Sequence, residues 1–479
     1  MRNRSRILLS ALTLAIVSAC GNATAADLMS IYELARASDP QLQAAEAQRM
    51  AQAEGVVQAR AALLPQISAS AQASSFEQDQ SSGSPRPFPR PDGSLGFGAV
   101  TSITDTRGRL YSITLNQSLY DHRNYTRLRS ARSIRSQFEA DYETALQGLF
   151  IRVSQAYFDA LTARTNLDAA EAEEKAVGRQ LEQAEQRFEV GLTAITDVHE
   201  ARARYDSARA NVINAGNQLN DAYEALAELT GEPVSELDLL NEAIPMALPE
   251  PSDPEQWVEV ARAQSPSIAG QRFAFEAAEH DVATAKAGHY PTLSAQVSRS
   301  TGDNWGDFVQ NEVVNNARNG NFDTSIGVIL NVPIFEGLGT QSRVRQSIHQ
   351  RDAAGDRLEQ ETRAVARATR NAYRAVVAGM SEVEARKQAL VSAQSALEAT
   401  QAGFEVGTRT IVDVLLSQQQ LFAAQREYAR ARHNFIVSGL RLKQSAGVID
   451  VADIQSVNSL LGAAPAPDSD AAPKDEILR

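Results

Sequence analysis

FEVGTRTIVDV, residues 404–414, repeats FEVGLTAITDV, residues 188–198, with seven of eleven positions identical. The two glycines, Gly191 and Gly407, lie 216 residues apart, and other landmarks recur at nearly that offset. LNQSLYD (115–121) answers LNVPIFE (330–336), and Leu64-Pro65-Gln66-Ile67 answers Tyr290-Pro291-Thr292-Leu293. Leu229-Thr230-Gly231 stands where Ser445-Ala446-Gly447 stands later. The order is the same in both halves, so the chain is an internal duplication; two copies are too few for a solenoid.

Around each phrase the sequence reads as helix. Proline is absent from Asp92 to Glu232 and from Ile334 to Ala464, runs rich in good helix formers. Leu146, Leu149, Phe150, Val153, Tyr157 and Leu161 recur at helical spacing. Asp121–Val190 and Gly337–Val406 are 70 residues each, or roughly 105 Å as helix. Such lengths call for a coiled-coil or helical-barrel setting. After each phrase a returning helix of about 40 residues is expected. A shorter helix precedes each strand pair, at Pro40–Leu64 and Pro266–His289.

The strands alternate. Tyr111, Ile113 and Leu115 share one face, as do Ile326, Val328, Leu330, Val332 and Ile334. Leu293, Ala295 and Val297 form a third, and Ile67, Ala69, Ala71 and Ala73 a weaker fourth. About ten residues suffice for each, the length of an outer-membrane strand; a soluble sheet with one wet face has the same period. Polar loops are expected at 77–105 and 300–321.

No mature run of 18 or more apolar residues occurs, so a membrane crossing has to be a β-barrel. Four strands cannot close a barrel, and open edges in lipid cost several kcal/mol per unpaired group. Chains therefore pool strands. Two chains give eight, a filled interior; three give twelve, which leaves an aqueous lumen.

Residues 1–25 read as an export signal: Arg2, Arg4 and Arg6, a short apolar core, then Ala23-Thr24-Ala25. A rival reading takes Val17-Ser18-Ala19-Cys20 as a lipobox, with Cys20 lipidated. Cys20 is the only cysteine, which excludes an internal disulfide or a cysteine-built zinc site. The formal charge is −13, and −16 without the three signal arginines. That argues against nucleic acid and suits an anionic surface or channel. The segments are 26–231 as first repeat, 232–255 as proline-rich linker, 256–461 as second repeat and 462–479 as disordered tail.

On GTRTIVDVL (407–415), GLTAITDV (191–198), ALLPQISA at the first strand entry and HYPTLSA at the third, the chain resembles the TolC-type outer-membrane factors of Gram-negative bacteria. The resemblance spans nearly all of Ala26–Leu461. It implies an α+β membrane protein whose long antiparallel helical hairpins form a trimeric α-barrel. Four strands per chain would join a shared twelve-stranded β-barrel. The implied homotrimer sits in outer-membrane lipid and reaches into the periplasm. A periplasmic adaptor protein and an inner-membrane pump recruit it and open its tapered end for drug-like or protein cargo, and no cofactor is implied.

The repeated phrase then marks two helix–turn–helix hairpins, with Gly191 and Gly407 leaving each helix in the left-handed conformation. Asp197 and Asp413 have two readings. One is charge and cap at the start of the returning helices. The other comes from the resemblance: Asp413 faces the pore at its narrowest point, in a ring of three. Arg409 then ties neighbouring helices through Thr196 and Asp197. Two positions depart from the family pattern. Leu416 stands where a second Asp ring is common, which favours gating by dewetting. Phe404 replaces a tyrosine, so one closing hydrogen bond per chain is missing.

Other classes fit less well. The six histidines are scattered and none stands in an H-E-x-x-H spacing; no phosphate loop or G-x-S-x-G elbow occurs. A periplasmic coiled-coil adaptor or scaffold also carries long hairpins, but it needs neither membrane strands nor a second hairpin.

Overall fold

The computed structural model describes residues 26–462 apart from 82, 91, 100, 235, 242–243 and 311–312. The expected signal, Cys20 and all but the first residue of the expected tail lie outside the described residues. In chain order come α1 (Leu28–Ser38), α2 (Pro40–Ala61), β1 (Gln66–Ser81), β2 (Arg86–Pro89), β3 (Leu95–Gly98) and β4 (Thr101–Tyr120). Then follow α3 (His122–Glu189), α4 (Ile195–Thr230), β5 (Leu239–Leu240), α5 (Pro254–Gln264) and α6 (Pro266–Lys286). The chain continues through β6 (Thr292–Gln310), β7 (Val313–Asn331), α7 (Gly339–Glu405), α8 (Ile411–Ser445), α9 (Val451–Asn458) and β8 (Leu461–Gly462). None of the described helices is long and apolar enough to cross a membrane.

The long helices have 68 and 67 residues and the returning ones 36 and 35, close to expectation. Two compact units divide the chain. One holds the described residues within 49–138 and 270–358; the other holds those within 26–48, 139–269 and 359–462.

The first unit carries an antiparallel sheet in the order β1-β4-β6-β7. Alternation assigns its faces. Ile67, Leu115, Val297 and Ile326 form one cross-strand row. Ala71, Tyr111, Thr301 and Phe322 form another two rows on. From the Leu293–Leu330 pair to the Thr301–Phe322 pair, this face is an apolar band about 26 Å tall at roughly 3.3 Å per residue. The opposite face carries Ser68, Ser70, Thr114, Gln296 and Ser298 in the paired rows. Ile326 is 78 % and Ile113 57 % exposed in the single chain, as a lipid-facing wall has to be.

The strands run well past ten residues, to 16 in β1, 20 in β4 and 19 in β6 and β7. The expected polar loops are therefore mostly strand. Gln310 pairs with Val313, leaving a two-residue connection at 311–312. The β1–β4 connection folds into the small β2–β3 hairpin. Apolar alternation stops after the Thr301–Phe322 row, but backbone pairing needs only a partner of matching register and continues beyond it. At the other end β7 stops at Asn331, so Val332 and Ile334 lie beyond the strand. The chain then turns sharply through Gly337 (φ 58°) and Leu338 (φ 66°) into α7.

The second unit has a core around Tyr32 and Phe150, stacked at 4.6 Å, with Leu28, Ile31, Leu149 and Leu161 fully or almost fully buried. Helices α1, α5 and α9 were not legible as separate elements; α1 and α9 pack short apolar faces here, and α5 packs Trp257 and Ala261 against Val376, Leu442 and Ala446. The expected linker contributes β5, which pairs with β8. Asp39 is 2 % exposed; it accepts from Leu42 N–H (2.9 Å) at the start of α2 and from Arg152 Nη2 (2.6 Å). His433 is buried where α8 meets α3. The Thr162 hydroxyl donates to Phe158 O (2.7 Å), so His433 Nδ1–H is the donor in its 2.8 Å contact with Thr162 Oγ1.

Candidate functional site: the two hairpin turns

Both repeated phrases close their helices the same way. Leu192 N–H bonds Arg187 O and Gly191 N–H bonds Phe188 O; Thr408 N–H bonds Gly403 O and Gly407 N–H bonds Phe404 O. This is the Schellman pattern, and it requires a left-handed residue after the helix. Gly191 (φ 75°) and Gly407 (φ 80°) supply it, as expected.

The restart of the helix differs between the copies. In the second hairpin Thr410 is the N-cap of α8. Asp413 Oδ2 accepts from Thr410 N–H (2.9 Å) and from its hydroxyl (2.8 Å), while Asp413 N–H donates back to Thr410 Oγ1 (3.3 Å). This capping box satisfies helix-end donors reciprocally. The Thr410 amide and hydroxyl, with the Arg409 charge nearby, hold the Asp413 carboxyl below its ordinary range. Among the described residues no hydrogen bond reaches Oδ1. In the first hairpin the N-cap is Ala194, which has no side-chain acceptor. Asp197 instead accepts from the Thr193 hydroxyl, with Thr196 Oγ1 3.5 Å from its other oxygen.

Phe404 points into a cluster that joins the hairpins: Val177 of α3, Tyr205 of α4, and Ile411, Val412 and Leu415 of α8. The Arg187 guanidinium lies 5.0 Å from its ring centroid. Sequence reading missed Arg187, Val177 and Tyr205. A signal existed for the first: the residue before FEVG is Arg187 in one copy and Gly403 in the other. A Cβ on Gly403 would sit 2.8 Å from Arg409 Cγ, so glycine there makes room for the Arg409 stem.

Arg409 itself is exposed, and within the chain it forms no hydrogen bond or ion pair with Thr196 or Asp197 among the described residues. Leu416, one turn beyond Asp413, is 41 % exposed. Val190, Leu192 and Val406 at the turns are 68 %, 71 % and 75 % exposed. Chemically the site offers a half-free carboxylate, an apolar side chain one turn on, and, in the second turn, an exposed arginine with no ion pair among the described residues. Among the described residues no group of three metal-ligating side chains occurs.

The family model for outer membrane efflux protein matches residues 31–232 and 257–448. The chain is 37 % identical over 435 residues to outer membrane protein TolC of Vibrio cholerae, covering 91 % of this chain and 94 % of that one. It is 27 % identical to the alkaline protease secretion protein AprF of Pseudomonas aeruginosa, covering 95 % and 92 %. The solved outer membrane protein VceC of Vibrio cholerae shares the fold, with a TM-score of 0.68, 18 % identity and coverage of 88 % and 96 %. The duplicated hairpins, the four-strand sheet with one apolar face and these likenesses agree: the chain belongs to the outer membrane efflux protein family and is an outer-membrane channel of efflux or type I secretion.

Proposed function

We propose that three copies of this chain close one passive duct, gated at the periplasmic end by the two FEVG hairpins and recruited there by a periplasmic adaptor and an inner-membrane pump. The carrying observation is the sheet. It has an apolar face about 26 Å tall and two edge strands, β1 and β7, with no partner on their outer sides. In lipid those edges have to be paired, and three copies pair them in a ring of twelve with an open lumen. A coiled-coil scaffold has no use for such a face.

At the hairpins a threefold axis would repeat each side chain three times. Asp413 fits an anionic ring: Oδ2 is held by its own helix end, and Oδ1 is free to face a cation. Leu416 adds an apolar ring one turn on. Arg409, unpaired within the chain, is placed to reach Thr196 and Asp197 of a neighbouring copy and hold the end shut. The exposed Val190, Leu192 and Val406 offer the adaptor an apolar tip. Cargo of the drug-like or protein class leaves without energy spent by the duct.

Single-channel conductance of the purified protein in a planar bilayer tests this, with Asp413→Ala alongside. A small cation-selective conductance that loses selectivity in the variant is expected. A pore unchanged by the variant moves the gate toward Leu416. Absence of any pore overturns the reading.

A further inference from the structure

Arg299 is out of place on the apolar face of the sheet. Its neighbours across the ladders are Ile113 on β4 and Thr324 on β7. Along its own strand on that face lie Val297 and Thr301, and diagonally above stand Tyr111 and Phe322. None is acidic. The first acidic group on the face is Asp303, roughly 13 Å further along the strand. Its Oδ1 lies over Gly320, its partner on β7, where a Cβ would meet it at 3.0 Å. Among the described residues Arg299 forms no ion pair, and its guanidinium lies 4.4 Å from the Phe322 ring centroid.

An arginine on a lipid-facing wall is costly at mid-membrane and nearly neutral close to the interface. Arg299 stands one row below the top of the band, at the end away from the helices. Its stem can lie on apolar neighbours while its head reaches the headgroup level. Beside it the small side chains of Ala69 and Ala71 leave a depression of about 410 Å³, walled by Tyr111, Ile113 and Phe322. Two rows above Arg299, in the row of Asp303, stands a second stacked cation, Arg109, 5.3 Å from the Trp305 ring.

We propose that Arg299 is a lipid-binding residue. It takes the phosphate of an outer-leaflet lipid headgroup, with the upper acyl chain lying in the Ala69–Ala71 depression. Arginine suits this because its planar fork meets phosphate oxygens in pairs. The ring of Phe322 fixes the guanidinium at the one level where phosphate is found. The inference rests on the proposed closure of the sheet with its apolar face outward.

The test uses full-length trimer in nonionic detergent, as wild type, Arg299→Gln and Arg299→Lys. Each is mixed with lipid of equal parts phosphatidylcholine and phosphatidylglycerol, washed, and its retained lipid measured by mass spectrometry. Each is also inserted in planar bilayers. Arg299→Gln is expected to lower retention of both lipids, phosphatidylglycerol the more, by about tenfold, the factor for one charge-assisted hydrogen bond to phosphate, with Arg299→Lys between the two. Equal retention by wild type and Arg299→Gln overturns the site. Full displacement of the lipid by inorganic phosphate overturns the lipid assignment in favour of a free anion. Normal conductance in all three with equal lipid retention sinks this inference and leaves the duct intact, whereas loss of conductance in wild type sinks the duct.

Discussion

The Arg187 guanidinium stacks on the Phe404 ring and so ties the last turn of α3 to the last turn of α7. A contact of this kind contributes about 0.5–1 kcal/mol at an exposed site. In the proposed threefold gate, three such contacts would together favour the closed state by roughly tenfold or more. Arg187→Gln and Phe404→Leu are each expected to raise resting conductance by that order, measured in planar bilayers. Equal resting conductance in both variants and wild type would sink the latch.

Phe404→Tyr keeps the ring under Arg187 and adds a hydroxyl. One new hydrogen bond per chain is worth about 0.5–1.5 kcal/mol, so this variant is expected to rest more tightly closed. Conductance equal to wild type would show that the hydroxyl finds no partner.

Asp413 caps α8 and, in the proposed ring, carries the selective charge; the two separate by substitution. Asp413→Asn keeps an acceptor for Thr410 and removes the charge, so cation selectivity should fall while stability holds. Thr410→Ala keeps the charge and removes the cap, so the α8 start should lose about 1 kcal/mol while selectivity holds. Paired reversal-potential and hydrogen-exchange measurements read both. Loss of selectivity in Thr410→Ala alone would place the selective charge elsewhere.

His433 is held neutral. Burial, with the Arg432 charge beside it, lowers its pKa to about 4. Between about pH 6.5 and 4 the unfolded chain binds the proton and the folded chain does not. Stability is therefore expected to fall with pH across that window, by about 3 kcal/mol in all. His433→Gln should flatten this slope in denaturation measured at stepped pH. Parallel pH profiles for variant and wild type would remove His433 as the cause.

Ala194 already has the extended backbone of an N-cap (φ −82°, ψ 153°) but no acceptor. Ala194→Ser is expected to add about 1 kcal/mol at the start of α4, seen as slower exchange of the Ile195–Val198 amides. No change in exchange would mean that Thr193 and Asp197 already fix that end.

Most of the architecture was legible because periodicity and duplication report it directly. The long helices ended within two residues of expectation, and the left-handed glycines fell where the phrase put them. Strand length was not legible. Beyond Phe322 the face turns to Gly320 and Arg318, and pairing that continues without apolar alternation leaves no pattern to read. Helices α1, α5 and α9 are too short for periodicity to separate from their surroundings. At the second hairpin, Asp413 was visible as a cap, but its partner Thr410 was not read. Arg187 with Phe404 was not, because it depends on how two hairpins pack and not on spacing within either.

The overshooting strands change what stands outside the cell. Roughly 25 Å of hydrogen-bonded ladder, from Asp303 to Gln310 on β6 alone, rises above the apolar band. In the proposed ring the outer mouth is built of paired strands more than of loops. An antibody raised against the native protein would meet side chains drawn from adjacent strands, such as Arg107, Trp305 and Arg318 in one row. Such an epitope belongs to no single peptide and vanishes when these strands unfold.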